Sequence, residues 1–195
     1  MRYLLIAAGL LVAATPAHAN VVSAHDRGFE LRHEVLLTGS PAEGWARIGR
    51  IQSWWSKDHT YSGSAANLRL SLVPGGCFCE AFPGGGGIEH LRVTYADPAK
   101  RAVLSGALGP LLYEAVAGTM DIELKAEAKA TRVTLTYRVA GFARGNGTAM
   151  ALAVDQVLGE QLARLARSGA RPGHDARVRM SKARLIGIGQ RPGKL

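Results

Sequence analysis

Four polar side chains carry the chemistry that this sequence offers: His33, Glu89, Tyr95 and Tyr137, each aimed at apolar neighbours by its strand position. His33 falls in FELRHEVLL (29–37), where Phe29, Leu31, Val35 and Leu37 share its face and Glu30, Arg32 and Glu34 take the other. That period of two marks a strand with one buried face. Glu89 shares its alternation with Leu91, Val93 and Tyr95 over 88–95, opposite His90, Arg92 and Thr94. A carboxyl among apolar groups is costly unless paired, so it takes up a proton or finds a partner, and His33 is the expected one. A Glu–His pair facing a cavity can act as general base and acid for enolisation or dehydration, with a tyrosine hydroxyl polarising a carbonyl. The same pair can equally be a satisfied structural contact, and a register slip of one residue would place Glu89 in water.

Two further groups bear on a pocket. Trp54, Trp55, His59 and Tyr61 can either close its mouth as an aromatic lid or simply pack short helices. Cys77 and Cys79, the two cysteines of the chain, point to one side of a strand. Two residues apart on an extended strand, their alpha carbons stand near or beyond the disulfide limit of about 7 Å, so free, buried thiols are expected. No Cys or His cluster of zinc spacing accompanies them. The glycine run 84–87 lacks the following Gly-Lys-Ser/Thr of a phosphate loop, and neither a G-x-S-x-G elbow nor an H-E-x-x-H helix occurs. No metal and no cofactor is expected.

The element that must position these groups is a helix over 148–168. Ala151, Val154, Leu158, Leu162 and Leu165 recur at spacings of three and four, while Asp155, Glu160, Arg164 and Arg167 fall on the other face. Thr148 is the expected N-cap and Gly169 the stop. Ser40-Pro41 opens a short helix carrying Trp45 and Ile48, and a second helical turn follows. From residue 67 the chain reads as at least six strands broken by glycine, proline or aspartate. Met120, Ile122 and Leu124 form one inner row; Val133, Leu135, Tyr137 and Val139 form another. The expected fold class is α+β: a curved antiparallel sheet of about seven strands gripping the long C-terminal helix, with two short helices after the first strand. A pocket between sheet and helix would be lined by His33, Trp54, Trp55, Glu89, Tyr95, Tyr137 and Leu158.

Length and charge set bounds. The 195 residues, 47% of them hydrophobic, suit one domain with a sizeable core. The net charge of +9 is concentrated at the end: seven basic residues lie beyond residue 169, whereas 20–169 holds 16 basic against 14 acidic side chains. A nearly neutral folded part without a basic stripe argues against nucleic acid. Arg2, the apolar run 4–14, Pro16 and Ala17-His18-Ala19 form an export signal with a small-x-small cleavage site, so the mature chain is expected to start at Asn20, periplasmic or secreted. The division is therefore a signal peptide over 1–19, a domain over 20–169, and a basic, disordered tail over 170–195. That tail is either a solvated extension or a weak contact for anionic lipid headgroups.

The order strand, two short helices, six strands, long helix resembles the START-like superfamily, also called SRPBCC, which includes the birch-pollen allergen and polyketide cyclases. Within it, the pattern looks like the branch related to chaperone-activator homologues. The resemblance rests on Ile51 with Trp54-Trp55 and His59, Pro74-Gly75-Gly76 with Glu80, Gly109-Pro110, residues 131–137 with Gly141, and 154–165 in the helix. It spans about 29–168. What it implies is a helix-grip fold with a cavity for a small hydrophobic or amphipathic ligand. It leaves open whether the chain is a carrier, a cyclase or dehydratase, or a protein-interaction module.

Overall fold

Alternation along the chain becomes a single eight-stranded antiparallel sheet in the computed structural model, which describes residues 20–169. The expected leader and basic tail lie outside the described residues. The strands are β1 (Val21–His25), β2 (Gly28–Thr38), β3 (Leu68–Leu70), β4 (Cys77–Ala81), β5 (Gly87–Asp97), β6 (Arg101–Ser105), β7 (Ala117–Glu127) and β8 (Ala130–Ala140). Their spatial order is β1-β2-β8-β7-β6-β5-β4-β3. Together with a long C-terminal helix this is the α+β helix-grip arrangement. β1 is one strand beyond expectation: in VVSAH only Val21 is even partly buried, so no alternation marks it. Its order comes from pairing with β2 and from the long helix beside it.

The helices begin where local chemistry starts them. Helix α1 (Pro41–Gly49) is opened by a capping box, in which the Glu43 N–H donates to Ser40 Oγ at 3.4 Å and Ser40 N–H donates to Glu43 Oε2 at 2.7 Å. Single helical turns follow at Ile51–Ser53, Lys57–His59 and Ala65–Asn67, and another short turn at Gly109–Glu114. Helix α2 (Gly147–Arg167) starts from Asn146 rather than Thr148. Glycine permits the earlier start, because a β-carbon at Gly147 would run into the His25 carbonyl oxygen. Ala151, Val154, Leu158, Leu162 and Leu165 all lie buried against the sheet. Burial of a leucine such as Leu158 contributes about 1.5–3 kcal/mol.

The inner rows of β7 and β8 are buried as their alternation requires. β5 departs from its alternation twice. Its pairing with β4 passes from Phe78↔Leu91 to Cys79↔Glu89, leaving His90 as an extra residue. Its pairing with β6 passes from Val93↔Leu104 to Tyr95↔Val103, leaving Thr94 extra. Each bulge reverses which parity faces inward. Glu89 is therefore not an inward group: it is exposed on the outer face and ion-paired with Arg92. Tyr95 likewise points out and is 49% exposed, whereas His90 and Leu91 are both buried.

The cysteines also differ from expectation, since Cys77 and Cys79 form a disulfide. Their alpha carbons lie 5.4 Å apart. A straight strand would hold them about 6.6–6.8 Å apart. β4 thus contracts opposite the β5 bulge, which brings the pair inside bridging range. Neither cysteine is fully buried.

Candidate ligand-binding cleft

The alternation of β4, CFCEA, sends Phe78 and Glu80 inward and the two cysteines outward. The bulge in β5 sends His90 to the same place. There a cleft of about 290 Å³ opens between the sheet, the N-terminal half of α2 and two loop segments. Phe78 and His90 form its floor, Met150, Ala153, Val154 and Val157 of α2 one wall, and Leu108, Gly109 and Pro110 another. Trp55, Asp58, His59, Thr60 and Tyr61 border it on the remaining side. This mostly apolar lining with a few convergent polar groups is what small-molecule sites have in common.

The polar groups converge on one pair. Glu80 has a fully buried side chain, and its Oε2 lies 3.3 Å from His90 Nε2. The same oxygen accepts the Tyr61 N–H at 3.0 Å, and the Ser62 N–H donates to Oε1. Burial alone would raise the Glu80 carboxyl, but the Ser62 hydroxyl and N–H, the Tyr61 N–H and His90 together hold it below its ordinary value. His90 is lowered by burial, and Glu80 only partly offsets this. The pair at neutral pH is a carboxylate and a neutral imidazole whose proton sits on Nε2, facing Glu80. His90 Nδ1 is then a lone-pair acceptor, and it is buried with no hydrogen-bond partner among the described residues. The ring itself lies between Phe78 and Tyr61, with centroids at 4.7 and 5.9 Å.

The other candidate residues divide between cleft and core. Trp55, His59 and Tyr61 border the cleft, and the Trp55 indole N–H donates to the His59 carbonyl at 2.9 Å. Trp54 is buried beside it and donates to the Arg47 and Ile48 carbonyls at 3.1 and 3.3 Å, anchoring the end of α1. His33 is inward, but its Nε2 lies 3.0 Å from Asp155 Oδ1 of α2, and β8, β7 and β6 separate its strand from that of Glu89. Tyr137 is fully buried, accepts the Leu108 N–H at 3.1 Å and donates to the Gly106 carbonyl at 3.2 Å. Burial pushes its hydroxyl up to about 12. Leu158 borders a separate small void of about 30 Å³ between helix and sheet.

The polar side chains of α2 do more than meet solvent. Gln161 Oε1 accepts the Ser56 N–H at 2.7 Å, Arg164 Nε donates to the Trp54 carbonyl at 2.8 Å, and Glu160 Oε2 lies 3.1 Å from His59 Nε2. Three contacts from one stretch of the helix thus hold the 54–59 segment over the cleft. Glu80 was open to detection in the sequence, because it shares the parity of Phe78 in CFCEA. His90 was not, since nothing in GIEHLRVTY marks the bulge. Gln161 carried no apolar signal, although it sits on the helix stripe beside Leu158, Leu162 and Leu165.

No family model and no curated protein matches the chain. Solved structures do. A protein of Mesorhizobium loti superposes with a TM-score of 0.53 at 13% identity, covering 73% of this chain and 98% of its own. A protein of Rhizobium leguminosarum gives 0.53 at 18% identity, with 76% and 97% covered. The Aha1 dimer structure of Colwellia psychrerythraea gives 0.50 at 19% identity, with 72% and 98% covered. At these identities the likeness establishes the fold alone, a curved antiparallel sheet gripping a C-terminal helix.

Proposed function

We propose that this START-like chain binds a small hydrophobic or amphipathic molecule in the cleft, with the ligand's hydrogen-bond donor meeting His90. The observation that carries the reading is that His90, a lining residue of an apolar cleft, holds a buried Nδ1 with no hydrogen-bond partner among the described residues. An acceptor left without a partner in such a place costs about 1–3 kcal/mol, which a donor on the ligand recovers. Phe78, Trp55 and Val154 supply apolar contact around it.

The test compares 1-naphthol with naphthalene, which differ by one hydroxyl. 1-Naphthol is expected to quench Trp55 fluorescence and to bind about tenfold tighter than naphthalene, consistent with one hydrogen bond. In His90→Phe that preference disappears while naphthalene binding persists. Absence of quenching by either compound, or an unchanged preference in His90→Phe, overturns the assignment.

A second reading has its own support in the Glu80–His90 dyad, because a carboxylate that orients a neutral imidazole prepares a general base. On this reading the chain is a cyclase or dehydratase acting on a hydroxylated substrate in the same cleft. Chemical conversion of the bound compound, lost in His90→Gln, selects it over simple carriage.

Export is part of the proposal. It is supported by the leader pattern at the N-terminus and by the Cys77–Cys79 disulfide, a bond that persists in oxidising compartments.

A further inference from the structure

The β5 bulge that removes Glu89 from the cleft brings it to the cysteines. On the outer face, Cys79 stands directly across from Glu89 in the β4–β5 register, and Cys77 directly across from Arg92. The two sulfur atoms and a Glu89 carboxylate oxygen all lie within 4.8 Å of one another. Cys77 and Cys79 are half-buried and Glu89 is exposed, so the cluster is open to solvent. We infer that Cys77, Cys79 and Glu89 form a redox-gated site for a thiophilic divalent cation of the zinc class, separate from the cleft and independent of its ligand.

The donor set fits such an ion. Two thiolates and a carboxylate, with water in a fourth position, make a tetrahedral site with metal–sulfur distances of about 2.3 Å. Thiolate is a soft donor that disfavours magnesium and calcium. Contraction of β4 holds the alpha carbons of the cysteines at 5.4 Å, so both sulfurs reach one ion without rearrangement of the sheet. Arg69 is paired across from Cys79 on the other side, and Arg92 binds Glu89. These guanidiniums offset part of the negative charge that three anionic ligands would gather. Arg92 is also the group that the ion must displace from Glu89.

The disulfide is the gate. In that form both sulfurs are bonded to each other and neither is a thiolate. A dithiol reductant opens it by exchange: two electrons and two protons pass to the cysteines, and the reductant leaves as its own disulfide. As the two sulfur–metal bonds form, the two thiol protons go to solvent. The bridge closes a sequence separation of only two residues, so breaking it returns little conformational entropy to the unfolded chain and leaves the sheet folded.

Cobalt(II) is the probe, because its thiolate complexes absorb in the near ultraviolet. The full chain is reduced with a phosphine, which takes up the water oxygen as phosphine oxide, and is then titrated without oxygen while far-ultraviolet circular dichroism follows the fold. One cobalt per chain is expected with a sulfur-to-cobalt charge-transfer band, and none for the oxidised protein. Cys77→Ser abolishes the band, and Glu89→Gln weakens affinity by about tenfold, or about 1.4 kcal/mol. Binding by reduced protein no tighter than by oxidised protein overturns the site. So does a Glu89→Gln variant that binds as tightly as the parent.

Discussion

At His33 and His90 burial opposes a neighbouring carboxylate, and burial prevails: both imidazoles are lowered below the ordinary histidine value despite Asp155 and Glu80. The folded state therefore prefers both rings neutral, whereas the unfolded chain protonates them near 6.5. Above that value neither state takes up the proton and the full stability is present. As pH falls below it the unfolded chain binds protons first, so stability declines until the lowered folded values are passed. Glu80, also lowered, loses its contribution at still lower pH. The urea midpoint is expected to fall between about pH 7.5 and about pH 5, and to fall less in a His33→Gln, His90→Gln double variant. Equal slopes in parent and variant would show that neither ring is the source. Alternation correctly placed His33 and Tyr137 because β2 and β8 pair without interruption. It misplaced Glu89 and Tyr95 because each lies beyond an extra residue, and a bulge leaves no trace in hydrophobicity when both phases contain apolar groups.

Among the elements, α2 carries two jobs on one cylinder. Its apolar stripe packs on the sheet, and Glu160, Gln161 and Arg164 hold the 54–59 segment. In Gln161→Leu the Ser56 N–H loses its acceptor while buried, at a cost of about 1–3 kcal/mol. Faster amide hydrogen exchange confined to 54–61 is the expected signature, with β7 and β8 unchanged; uniform acceleration would mean that the helix as a whole had loosened. Strong periodicity made α2, β2, β7 and β8 legible in the sequence. β1 was not, because it is ordered by neighbours rather than by a buried face of its own. The turn Gly109–Glu114, which walls the cleft, was hidden because Gly-Pro reads as a loop and only Leu111 within it is buried.

For the whole molecule, the fold was readable from element order, whereas the cleft chemistry depended on local irregularities of β5. The described residues contain no helix long and apolar enough to cross a membrane. An export leader makes a concrete prediction at this scale: the full chain expressed in a bacterial cell should be recovered outside the cytoplasm with Asn20 as its first residue, read by N-terminal sequencing. Recovery in the cytosol with residues 1–19 retained would reject the leader and weaken the compartment argument drawn from the disulfide.

The cleft is built of unequal materials. Its floor, Phe78 and His90, belongs to strands locked on both sides by neighbouring strands, while much of its rim belongs to single helical turns and connecting loops held by side chains. On the function proposed above, a guest would enter by parting the rim, without breaking a rung of the sheet. On that same proposal, substitutions along the rim would retune which guests are admitted while the foundation stays as it is, so the breadth of molecules accepted would be free to drift faster than the fold that receives them.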